Sequence, residues 1–97
     1  MQDYEDMAVA VADIYAARFD VPKSADWALM KLSEEQGELM GAWLAHQGQS
    51  RACADAQDVA DEVADVLGFL LVFCARAGID PARALRDKWG KYLPEET

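Results

Sequence analysis

Histidine is almost missing from this chain, with a single one, His46, in 97 residues. Cysteine is nearly as scarce, and Cys53 and Cys74 form no Cys-x-x-Cys or Cys/His spacing. Together these absences exclude a structural zinc site. A di-iron bundle built from Glu-x-x-His motifs is excluded too, because Trp43 stands where the motif before His46 needs a glutamate. The sequence has no glycine-rich phosphate loop, no G-x-S-x-G elbow, no Cys/His nucleophile pair and no calcium loop. No run is long and apolar enough to span a membrane. The first residues, Met1-Gln2-Asp3-Tyr4-Glu5-Asp6, are acidic where a secretory signal is basic. The expectation is a cytoplasmic protein with two free thiols, Cys53 in a loop and Cys74 in an apolar helix.

Basic residues are also few. Nine Lys and Arg face eighteen Asp and Glu, for a formal net charge of -9. A nucleic-acid-binding face must neutralise phosphates, so neither nucleic acid nor an anionic membrane is an expected partner. A phosphorylated small molecule stays open, because a bound metal inverts the local charge.

What is present points to helix. Only three prolines and six glycines interrupt the chain, and 53% of it is hydrophobic. Alanine, leucine, glutamate, methionine and arginine all favour helix. The length suits one domain, residues 1–97, with an all-α fold. A four-helix protomer is expected, its bundle completed by dimerisation, because so short a chain carries more apolar surface than it can bury.

Four helices can be placed. The first runs from about Asp3 to Phe19, with Tyr4, Met7, Val11, Ile14 and Tyr15 at helical spacing. Pro22 breaks it, and Ser24 or Asp26 opens the second, which runs to about His46 with Leu29, Leu32, Leu39 and Trp43 on one stripe. A polar loop, 47–53, leads to the third helix, from Ala54 or Asp55 to Ala77 with Gly78 as its cap. That helix is apolar nearly all round, as a central one should be. Asp80 and Pro81 open the fourth, on which Leu85, Trp89 and Tyr92 are expected to face the core. Arg83, Arg86, Lys88 and Lys91 make it basic, and Pro94 to Thr97 are expected to fray. The tryptophans Trp27, Trp43 and Trp89 are expected at core or interface positions rather than as base-stacking platforms.

The chemistry sits in Glu34-Glu35-Gln36-Gly37-Glu38 and Glu62-Val63-Ala64-Asp65. Carboxylates three apart are neighbours on a helix face. Glutamates at this spacing are common on solvated helices, so one pair alone means little. The second pair is more telling. At about 100° per residue, Glu62 and Asp65 share a flank with Phe69, Val72 and Phe73. An acidic patch continuing an apolar stripe implies partly buried carboxylates. Burial and mutual repulsion raise their pKa values, and a hard divalent cation relieves both. Lys31, four residues before Glu35, is expected to pair with it.

With these two motifs, in this order and at this spacing, the chain resembles the MazG-like all-α nucleotide pyrophosphohydrolases. Lys31-Leu32-Ser33, Leu39 and the run Asp61 to Gly68 carry the likeness beyond the acids, as does the Gly78-Ile79-Asp80 break before a basic helix. The resemblance implies hydrolysis of nucleoside triphosphates between the α- and β-phosphates, including house-cleaning of non-standard nucleotides. It implies Mg2+, with Mn2+ as a substitute, held by Glu35, Glu38, Glu62 and Asp65, and Glu34 as the base acting on water. Asp58 and Asp61 are adjacent acids, and Lys31, Lys88 and Lys91 are candidate phosphate contacts. It also implies a homodimer or a dimer of dimers. Two alternatives stand beside it: phosphoribosyl-ATP pyrophosphatase of histidine biosynthesis, with the same chemistry, and a helical interaction module whose acids only solvate it.

Overall fold

The computed structural model describes residues 1–95; the remainder of the expected frayed end, Glu96 and Thr97, lies outside the described residues. The order is α1 (Gln2–Phe19), α2 (Ala25–His46), α3 (Ala56–Ala77), α4 (Pro81–Trp89) and a closing 3-10 turn, Gly90–Tyr92, with no strand among the described residues. The fold is therefore an all-α bundle.

Local chemistry sets each boundary. Asp20 ends α1 in the left-handed region, with φ 53°. Ser24 caps α2, its hydroxyl accepting the Trp27 N–H at 3.1 Å. A reciprocal capping box opens α3: the Asp58 N–H donates to Asp55 at 2.8 Å and the Asp55 N–H donates to Asp58 at 2.9 Å. Gly78 closes α3 at φ 73°, a conformation glycine adopts without strain. Asp80 caps α4, with Pro81 at its first position.

The α2–α3 pairing is the main seam, and α1 packs on α3. The core is small and made largely of small side chains. Ala12, Ala28 and Val72 form its centre, with Ala8 and Phe73 against it. Helix α1 thus packs through Ala8, Ala12 and Ala16 and leaves Tyr4, Met7, Val11 and Ile14 exposed, Ile14 to 68%. The spacing of its large residues marks a face that stays open beside the packed alanines. In the same way Val63, Leu67 and Leu70 of α3 are exposed, and only Leu71, Val72 and Cys74 are buried there.

The expected inward face of α4 is corrected. Leu85, Trp89 and Tyr92 are all exposed, because α4 packs with its own 3-10 turn rather than onto α1–α3. The shape reflects this openness. The radius of gyration is 16.1 Å, whereas a compact domain of this size has about 13 Å.

Candidate metal centre and groove

The α2–α3 seam brings the two acidic motifs together. One carboxylate oxygen each from Glu35, Glu62 and Asp65 lie within 4.8 Å of one another, and Glu34, Glu35 and Glu38 form a second such group. Glu35 belongs to both. Its position on α2 faces the seam, so it is only 8% exposed. Glu62 is half-buried, whereas Glu34, Glu38 and Asp65 are exposed.

Burial leaves two oxygens stranded. Glu35 Oε2 and Glu62 Oε2, from different helices, are buried without any hydrogen-bond partner. Burial first, then contact with the Glu38 carboxyl and the charges of Glu38 and Asp65, pushes Glu35 up to about 7, while Lys31 works the other way. Burial and the charges of Glu38, Asp65, Asp61 and Asp58 raise Glu62 as well. Stranded, mutually repelling carboxylate oxygens are what a hard cation with oxygen ligands would neutralise. The donor set therefore fits Mg2+ or Mn2+ and does not suit a soft metal.

Lys31 pairs with Glu34 at 3.1 Å rather than with the expected Glu35. That hydrogen bond, together with the Glu34 and Glu35 charges, raises the Lys31 pKa against the opposing effect of its burial. Its ammonium also lies 5.7 Å from the centre of the Phe69 ring. Asp58 and Asp61 are committed locally, Asp58 to the capping box and Asp61 to Gln57 at 2.7 Å. Lys88 and Lys91 sit on α4 and its 3-10 turn, exposed, and line neither the acidic cluster nor the groove beside it.

That groove, about 480 Å³, lies between α1, α2 and α3 and shares Glu35 and Asp65 with the cluster. Its other walls are mainly apolar and aromatic, with Met7, Val11, Tyr15, Trp27 and Phe69, and Lys31 also lines it. Sequence reasoning missed the groove, because Tyr15, Trp27 and Phe69 come from three helices. The nearest signal was the flank that Phe69 shares with Glu62 and Asp65.

The all-α bundle and its acidic cluster agree with what comparison with known families finds, a member of the MazG-like all-α pyrophosphatase superfamily. The family model described as phosphoribosyl-ATP pyrophosphohydrolase matches residues 13–87, and the chain belongs to that family. The match spans both acidic motifs, the groove-lining residues from α2 and α3, and most of α4. Membership implies a pyrophosphohydrolase, an enzyme acting on a phosphate anhydride. No curated protein and no solved structure matches the chain.

Proposed function

We propose that the protein is a Mg2+-dependent nucleoside triphosphate pyrophosphohydrolase. It converts an NTP or dNTP to the monophosphate and pyrophosphate, in a house-cleaning role on non-standard nucleotides. The observation that carries this reading is the pair of buried, partnerless oxygens, Glu35 Oε2 and Glu62 Oε2, beside Asp65. Glu35, Glu38, Glu62 and Asp65 would hold the cation. When bound, the cation neutralises charge on the phosphate oxygens and acidifies water.

The protein's own groups do the rest. Glu34, exposed at the edge of the cluster, accepts the proton of the attacking water. Lys31 holds Glu34 in place and presents a cation to the phosphate chain entering from the groove. Lys88 and Lys91 supply further phosphate contacts across a homodimer or dimer of dimers, since α4 stands off its own bundle.

Phosphoribosyl-ATP is the second reading, favoured by the family description. That substrate carries a further phosphate on a ribose attached to its base. Beyond the acidic end the groove is apolar and aromatic, and Lys31 is the one cation lining it among the described residues. Within one protomer a second phosphate would find no charge-assisted partner there, so phosphoribosyl-ATP would need Lys88 or Lys91 of the assembly for it.

Pyrophosphate release from canonical, deoxy and modified triphosphates, with phosphoribosyl-ATP included, tests the proposal. Turnover with Mg2+ that EDTA abolishes is expected. Preference for phosphoribosyl-ATP would select the second reading. No release from any substrate, with no thermal shift on adding millimolar Mg2+, would leave a helical interaction module.

A further inference from the structure

The groove has a wall of three aromatic rings, one each from α1, α2 and α3. Trp27 stands in the middle, its ring centre 6.0 Å from Tyr15 and 5.8 Å from Phe69, which meets it edge-on at 70°. Against it lies Arg76, near the end of α3. The guanidinium carbon lies 5.8 Å from the centre of the Trp27 ring, yet Arg76 does not line the groove. It contacts a groove-lining ring without lining the groove itself.

Arg76 also grips the turn from which Trp27 projects. Its Nη1 donates to the Ser24 carbonyl at 3.1 Å. Ser24 is the residue whose hydroxyl caps the Trp27 N–H. Nη2 lies 3.7 Å from Asp13 Oδ1, too far for a hydrogen bond, and is buried without a partner. The side chain as a whole is 10% exposed. A guanidinium so buried and only partly satisfied is a poor way to fill space, and a leucine or methionine would do that without desolvating a charge. What an arginine adds is planar contact with an aromatic face together with a directed hydrogen bond.

We infer that Arg76 is a positioning residue for base recognition: it fixes Trp27 as the platform on which the substrate's base stacks in the groove. The inference rests on the nucleotide reading given above. The phosphates would then lie at the acidic end, where Glu35 and Asp65 border the same groove. An aromatic platform accepts the face of any base. Apolar neighbours such as Met7, Val11 and Val72 add no reading of the base edge. Stacking and size would then hold the base, leaving the Tyr15 hydroxyl and Lys31 as the polar side chains of the groove able to read its edge.

Steady-state kinetics of Arg76→Lys and Arg76→Met test the inference against nucleoside triphosphates, with pyrophosphate as a base-free competitive inhibitor. The KM for nucleotides should rise about three- to thirty-fold, the range of a desolvated cation–π contact. The kcat and the inhibition constant of pyrophosphate should move less than about twofold. Unchanged KM in active variants, or nucleotide and pyrophosphate affinities falling together, would overturn the inference. A second measurement does not depend on those variants folding. With Trp43→Phe and Trp89→Phe, Trp27 is the sole tryptophan, and an α,β-methylene triphosphate analogue should quench its emission. Inhibition by the analogue without quenching would overturn the stacking role. So would emission that follows protein concentration and not nucleotide, which would assign the groove to a second copy of the chain. A wild-type protein that releases pyrophosphate from no triphosphate fails at the earlier reading instead.

Discussion

At the scale of single residues, Glu35 joins the acidic cluster to the groove. Its carboxyl belongs to both acidic groups, borders the groove and ends in a partnerless oxygen. Its folded-state pKa, about 7, exceeds the ordinary 4.5. The neutral form is thus favoured by the fold. Its contribution to stability is complete below pH 4.5 and is lost as pH rises through about 7. The metal-free protein should melt at a lower temperature at pH 8 than at pH 5. That difference should shrink in Glu35→Gln and be offset by millimolar Mg2+ in the wild type alone. Thermal melts across pH, with and without EDTA, check all three. Glu38→Gln and Asp65→Asn alter exposed groups, so both variants should keep the fold. Each should weaken Mg2+-dependent turnover by at least about ten- to a hundredfold, the loss seen when even an outer-shell partner of a metal is removed. Turnover titrated with Mg2+ measures it, and a full-activity Asp65→Asn enzyme would remove Asp65 from the ligand set.

At the scale of elements, the boundaries were legible and the partners were not. Ser24, Asp55, Gly78, Asp80 and Pro81 are local signals, and each caps or opens the helix expected of it. Asp55→Ala removes half of the α3 capping box and should cost about 1 kcal/mol. Gly78→Ala meets no atom within 4 Å, so its cost is purely that of the positive φ, about 1–2 kcal/mol. Urea titrations with unchanged slopes would show both. Which face of a helix is buried is not a local matter. The periodicity of Tyr4, Met7, Val11 and Ile14 identified α1 as a helix but gave no hint that alanines would carry its packing. Leu85, Trp89 and Tyr92 misled for the same reason, since an apolar stripe shows that something covers it, not that the same chain does. The acidic site was legible because its evidence was internal to two motifs. Arg76 was not, since its hydrogen-bond partner Ser24 is 52 residues away and a basic residue in a last turn reads first as a complement to the helix dipole.

At the scale of the whole molecule, surface exceeds what one domain should show. The accessible area is 7396 Å² for 10.7 kDa, against roughly 5,500 Å² expected for a compact monomer of that mass. The excess, roughly 1,900 Å², is the amount each protomer loses in a large obligate interface. Sedimentation should therefore find a dimer or a dimer of dimers, with a melting temperature that rises with concentration. Ile14→Asp should shift the species toward monomer, and a wild-type monomer at high concentration would refute the assignment. The alanines of α1 bear on something else, the pattern of change the chain can tolerate. Ala12 and Ala16 are buried where helices approach closely, so a larger residue at either should cost about 1–3 kcal/mol. Tyr4 and Ile14, exposed and outside the groove, answer to whatever lies outside the protomer, whereas Met7, Val11 and Tyr15 also answer to the groove. In a library of single substitutions, α1 should thus show an inverted profile for folding: its smallest side chains the least replaceable, and Tyr4 and Ile14 free to drift whenever the surface they meet drifts with them.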